Sequence, residues 1–302
     1  MSLLEVRDLT VSFAGVTVVD RVSFDLDTGG RLGIIGESGS GKTLSALSVI
    51  GLVPEQATVT GSIRFDGREL IGLSDREASK LRGERIAMVF QSPLTSLNPL
   101  MRVGKQIAEP LRLHHGLSRR AATAEAIALC ERVGLPDPER AARAFPHQLS
   151  GGQRQRIGIA IALACRPALL IADEPTTALD VTVQRDVLEL LDTLIAEEGT
   201  ALLFITHDIS LIAQVARQLV VMRNGEIVEQ GAVNELISRP NHPYTAQLVD
   251  AARATGLDEP PSPSAADQPA DADIHQPAET GTVIDRLDAR RFKRTDAIEV
   301  HG

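Results

Sequence analysis

The stretch GIIGESGSGKT, residues 33–43, limits the folds open to this chain more than any other. It fits G-x-x-x-x-G-K-[ST], with Gly36, Gly41, Lys42 and Thr43 in the fixed places. An apolar run leads into it, and a helical pattern over 42–52 leads out. A phosphate-cradling loop needs that context: a strand that ends, a backbone free to curl, and a helix whose N-terminus faces the anion. The glycines let the N–H groups along Gly36, Glu37, Ser38, Gly39, Ser40 and Gly41 turn toward one point. Lys42 then reaches the β- and γ-phosphates, and the Thr43 hydroxyl ligates Mg²⁺.

Such a loop implies an α/β core, and the rest of the chain agrees. RIAMVF (85–90), PALLIAD (167–173), ALLFIT (201–206) and QLVVMR (218–223) are short, continuously apolar runs of the kind that form buried parallel strands. Helical patterns at 42–52, 181–198 and 208–217 lie between several of them. Residues 1–35 alternate instead, with turn signals, and predict short, mostly antiparallel strands; TVTGSIRFDG adds a further pair. Between Gln91 and Arg166 the periodicity predicts helices near 103–115, 118–134 and 150–165 with no strand between them. The resulting division is an α/β core at 1–90 and 166–235, a helical subdomain at 91–165 and a C-terminal helical extension at 236–254, all within one domain over 1–254. Residues 257–280 hold five Pro, six acidic residues and no Lys or Arg, so 255–302 is expected to be a largely disordered tail.

Composition removes several classes. Hydrophobic residues make up 43% of the 302, enough for a sizeable core. The net charge of −9 argues against broad nucleic-acid binding, which needs a basic face. The first ten residues, MSLLEVRDLT, have no basic or apolar region of a signal peptide. The longest apolar run, IGIAIALAC, is far short of the ~20 residues that span a bilayer. Cys130 and Cys165 sit in apolar helical patterns and read as buried hydrophobes.

A phosphate loop needs acidic company at another strand tip. LLIADE provides Asp173, placed to hold Mg²⁺, and Glu174 one residue beyond, placed as general base. His207, directly after the run 201–206, occupies a similar tip and can contact the γ-phosphate. A second glycine turn, LSGGQ at 149–153, opens the helix near 150–165. It is a potential anion site, and Ser150 equally fits a helix N-cap.

GESGSGKT, FQSPLTSLNP, LSGGQRQR, LLIADEPTTALD and ITHD, in this order and spacing, resemble the ATP-binding-cassette (ABC) ATPases over residues 3–254. The resemblance implies a RecA-like P-loop core with an antiparallel β-subdomain and an inserted helical subdomain. It implies ATP as ligand, and a head-to-tail pair of subunits in which Ser150, Gly151, Gly152 and Gln153 serve the partner's nucleotide. It further implies that Gln91 reaches Mg²⁺ and the attacking water, that Asp180 lies in a loop crossing the dimer interface, and that Phe13 sits where an aromatic stacks on adenine. Phe13 could equally face the core.

LRGERIAMVFQSPLTSLNP, ADEPTTALDVTVQ and NHPYTAQLVDA resemble the ATP-binding subunits of dipeptide, oligopeptide and nickel importers. That likeness implies a second ATPase subunit (a sister, or a copy of this chain), two membrane permease subunits, an external solute-binding protein met only indirectly, and a place on the cytoplasmic face of the membrane. HPYT is a mark of this group, and its residues suggest no chemistry beyond Pro243 starting a helix. Some relatives bind an iron–sulfur cluster through a Cys-rich segment after HPYT; this chain has no Cys beyond 165, so none is expected. Arg217 stands where relatives often have an acidic residue. The competing readings are a soluble cassette protein acting on nucleic acid or ribosomes, which typically has two cassettes or a coiled-coil insertion, and an exporter ATPase, which often has fused membrane helices.

Overall fold

The computed structural model describes residues 2–91, 96–176 and 179–254. The tail from 255 lies outside them, as do 92–95 of the FQSPLTSLNP stretch and 177–178 of the ADEPTTALD stretch.

The alternating N-terminus forms two long strands, β1 (Ser2–Phe13) and β2 (Val16–Asp27), rather than several short ones. The tight turn between them uses Ala14 and Gly15, both at positive φ, as the strand twist requires. The ladder between the two strands is bulged. In β1 the buried positions run Leu4, Val6, then Leu9, Val11, and the phase slips where Asp8 takes φ +48°. On β4 (Ala57–Phe65), Gly61 faces this bulge, and a Cβ there would lie 2.6 Å from the Arg7 and Asp8 carbonyl oxygens. With β5 (Arg68–Glu69) these strands make a four-stranded antiparallel sheet, β2-β1-β4-β5.

The apolar runs form a six-stranded sheet in the order β10-β9-β3-β8-β7-β6. It comprises β3 (Arg31–Ile35), β6 (Ile86–Val89), β7 (Leu169–Asp173), β8 (Ala201–Thr206), β9 (Gln218–Arg223) and β10 (Glu226–Ala232). Only the β9–β10 pair is antiparallel. Every residue of β7 and β8 is buried, which explains their unbroken apolarity. One face of the sheet, with Ile34, Ile171, Leu203 and Ile205, packs in a core shared with the antiparallel sheet and α1 (Lys42–Val49). The other face, with Ile35, Leu170, Leu202 and Phe204, packs under helices. Burying each such side chain contributes roughly 1.5–3 kcal/mol.

After α2 (Asp75–Leu81) and β6, the described chain holds α3 (Val103–His114), α4 (Arg119–Arg132), α5 (Pro138–Arg143), a short 3₁₀ turn and α6 (Gly151–Leu163), with no strand before β7. Arg132 at the end of α4 pairs with Glu198 (2.8 Å) and Glu197 (3.2 Å) at the end of α7 (Val181–Glu198). The chain then runs through α8 (Ile209–Val215), α9 (Val233–Ser238) and α10 (Pro243–Ala254). Helix α9 straddles residue 235, the boundary expected between core and C-terminal extension.

Candidate nucleotide site

Strands β3, β8, β7 and β6 are parallel neighbours, so their C-terminal ends share one edge of the sheet. That edge is where open α/β sheets bind ligands. Each strand delivers one element there: the 36–43 loop after β3, His207 after β8, Asp173 and Glu174 at β7, and Gln91 two residues past β6.

The loop is tightly built. Gly36 leaves no room for a side chain, since a Cβ would lie 2.2 Å from the Met222 carbonyl oxygen on β9. Gly41 takes φ +96° at the head of α1. Glu37, Ser38 and Gly39 are exposed, whereas Ser40 and Lys42 are buried, Lys42 at 6% exposure. The Lys42 ammonium donates to the carbonyls of Gly36 (2.7 Å) and Glu37 (2.9 Å), curled over its own loop. Burial pulls its pKa down, against the pull of Glu174, Asp173 and Glu37. A buried cation held only by neutral carbonyls suits an incoming polyanion.

Asp173 is 4% exposed, and its Oδ1 has no hydrogen-bond partner. Burial pushes its carboxyl up, with Glu174 adding to the rise, against the Thr43 hydroxyl and Lys42. An orphaned buried carboxylate oxygen beside a hydroxyl is a cost unless something cationic joins it. The donors are hard oxygens from Thr43, Asp173 and the Gln91 amide, the set that Mg²⁺ takes; the residues present fit the ion.

Gln91, Glu174 and His207 meet. The Gln91 Nε2 donates to Glu174 Oε2 at 2.7 Å, and His207 Nδ1 lies 3.2 Å from Glu174 Oε1. Glu174 takes φ +45°, and its backbone N–H donates to the Ile205 carbonyl at 2.8 Å, extending the β7–β8 ladder by one residue. This unusual backbone fixes the carboxylate between the two strand tips.

The second glycine turn is separate. Among the described residues no hydrogen bond or ion pair links 150–153 to the 36–43 loop. Ser150 caps α6 in a reciprocal box: Gln153 N–H donates to Ser150 Oγ (3.3 Å), and Ser150 N–H donates to Gln153 Oε1 (3.0 Å). A Cβ on Gly152 would meet Val183 Cγ1 at 2.7 Å, so a larger residue there would push against the start of α7. Asp180 caps α7, its Oδ1 accepting from Val183 N–H at 3.0 Å. Phe13, at the end of β1, is half-buried and packs against the core between the two sheets.

The family model for ABC transporters matches residues 19–177. The chain belongs to the ABC transporter family. A probable peptide ABC transporter ATP-binding protein of Sinorhizobium fredii is 49% identical over 255 residues, covering 82% of this chain and 76% of that protein. The oligopeptide transport ATP-binding protein OppD of Bacillus subtilis is 49% identical over 253 residues, 82% of this chain and 71% of its own. Among solved structures, a dimeric post-hydrolysis state of the ATP-binding cassette MJ0796 with ADP and Pi superposes with a TM-score of 0.68 at 28% identity. It covers 76% of this chain and 98% of that one. This ABC chain is accordingly an ATP-binding, ATP-hydrolysing cassette, and no comparison supports the nucleic-acid alternative. Among its described residues no helix is long and apolar enough to cross a membrane.

One contact escaped the sequence reading. Tyr244 of the HPYT stretch is 2% exposed, and its hydroxyl accepts from the Glu37 backbone N–H at 2.9 Å. The chain's only tyrosine, in a sequence of 3% aromatics, was the available signal.

Proposed function

We propose that this chain is the ATP-hydrolysing subunit of a peptide importer, attached peripherally to the cytoplasmic face of the membrane through two permease subunits and paired with a second ATPase subunit, a sister chain or a copy of itself. An external binding protein would deliver the cargo, and this subunit would not touch it. The named function of the relatives supports the cargo class. The observation that carries the site is the delivery of Lys42, His207, Glu174 and Gln91 by four adjacent parallel strand ends to one edge of the sheet.

The roles follow from position. The N–H groups of 36–41 other than that of Glu37, which Tyr244 holds, cradle the phosphates with Lys42, while Thr43, Asp173 and Gln91 would hold Mg²⁺, which when bound neutralises phosphate charge. Glu174 orients and deprotonates the attacking water; Gln91 and His207 fix its carboxylate, and His207 reaches the γ-phosphate. Phe13, half-buried against the core, offers its remaining exposed part to the adenine, and Ser150, Gly151, Gly152 and Gln153, with Asp180 beside them, complete the partner's site. ATP then binds two half-sites at once, and cleavage removes the charge that held them together, a ligand-driven shift between closed and open pairs. The domain division is an α/β core, an inserted helical segment and a C-terminal helical extension.

The test is uptake. A strain lacking this subunit should lose uptake of labelled short peptides and regain it with the wild-type chain but not with Lys42→Ala. Peptide uptake unaffected by the deletion, with nickel or another small solute lost instead, would overturn the cargo assignment.

A further inference from the structure

We infer that Tyr244 is a positioning residue for the phosphate loop, through which the C-terminal helix α10 sets the affinity for ATP. The inference rests on the nucleotide-site reading above.

The Glu37 peptide is gripped from two sides. Its N–H donates to Tyr244 Oη at 2.9 Å, and its carbonyl accepts from Lys42 at 2.9 Å. Lys42 must leave that carbonyl to reach a phosphate, whereas the Tyr244 bond involves no atom that the nucleotide needs. Tyr244 therefore holds the start of the loop in shape both before and after ATP arrives. Its own position is over-determined. The Arg223 guanidinium lies 4.7 Å above its ring, at the end of β9, the strand beside β3. Its backbone N–H donates to His242 Nδ1 at 3.2 Å. Glu229 on β10 then ties down the approach to α10, accepting from the N–H groups of Asn241 (2.9 Å) and His242 (3.1 Å). Residues Asn241 to Tyr244 thus form a strut from the far edge of the sheet to the nucleotide loop. Each polar contact in it has a named partner, and the phenol stays protonated because burial pushes its pKa up.

Without the hydroxyl, the Glu37 N–H loses its partner and the loop samples other shapes. Apparent ATP affinity falls with the fraction of chains in the competent shape. Tyr244→Phe keeps the ring and its packing, so it isolates the hydrogen bond. The expected result is a KM and a Kd for ATP about 3- to 10-fold higher, the range of one net hydrogen bond, with kcat within about twofold. Glu229→Ala, which touches no atom of the loop, should move KM in the same direction and carries the test should Tyr244→Phe fail to fold. Lys42→Ala is run alongside. If it weakens ATP binding while Tyr244→Phe, or in its place Glu229→Ala, binds ATP as the wild type does, the positioning role is overturned and the site stands. If Lys42→Ala binds ATP normally, the site reading fails and this inference with it. A lowered Tm with unchanged KM in Tyr244→Phe would reduce the hydroxyl's bond to a stabilising contact alone and also overturn the inference.

Discussion

Two glycine turns lead into helices in this chain, and they are finished in opposite ways. At 36–43 the loop is enclosed: Gly36 presses against β9, Ser40 and Lys42 are buried, and the ammonium is stored on its own backbone. At 150–153 the turn lies open, with Ser150 exposed and its capping needs met by Gln153. The first has a cation, an orphaned carboxylate and the Glu174 carboxylate around it. The second has only backbone N–H groups and a helix dipole, worth about 0.3–1 kcal/mol to a nearby anion. An enclosed loop can bind a triphosphate with its own residues. An open turn of this strength cannot, and becomes useful only when another surface brings the anion to it.

The largest effect expected from this asymmetry lies beside the enclosed loop. Glu174→Gln removes the base but keeps the shape, and the amide can still meet Gln91. Turnover should fall by about 10²–10⁴-fold, measured as phosphate release, while ATP affinity is retained. Because the triphosphate persists, a closed ATP-bound dimer should accumulate on sedimentation. Wild-type turnover in this variant would remove Glu174 from its role.

Lys42→Ala comes next. It deletes the only side-chain cation of the loop, and charge-assisted hydrogen bonds of roughly 1.5–3 kcal/mol are lost with it. ATP affinity should drop about 10- to 150-fold by that measure, read by nucleotide titration. Arg154, one residue past the open turn, donates through one terminal nitrogen to the Leu149 carbonyl at 2.7 Å. A Lys42→Ala chain that bound ATP like the wild type would erase the contrast between the two turns.

How far the sequence revealed this arrangement depended on whether the cause was local. The buried strands were legible because both faces of β7 and β8 are covered, which forces unbroken apolar runs. The helices over 103–114, 119–132 and 181–198 followed from their period. Strand β10 was missed: Glu226–Ala232 contains no fully buried residue, and its pairing with β9 defines it. Helix α2 has no buried residue either, so no apolar stripe marks it. The irregularity at Arg21, where φ is +47°, read as a strand end between VTVV and RVSFDL because a bulge and a break leave the same trace in alternation. At the site, residues within one motif were legible, while Tyr244, 207 positions from Glu37, was not, since no local pattern encodes a contact between a C-terminal helix and the loop after β3.

The smallest effects expected decide what the open turn is for. Ser150→Ala removes a cap and should cost about 1 kcal/mol of stability, whatever else the residue does. Ser150→Asp separates the roles. Aspartate caps a helix as well as serine, and its charge suits the helix N-terminus, so Tm should hold or rise slightly. If the turn closes on a partner's triphosphate, the same carboxylate faces like charge, and ATPase activity should fall about five- to tenfold, the rate equivalent of roughly 1 kcal/mol or slightly more. Added salt should restore part of it by screening an exposed contact. A Ser150→Asp chain with both normal stability and normal ATPase activity would reduce the Ser-Gly-Gly turn to a helix cap, and the head-to-tail pairing would lose its second half-site.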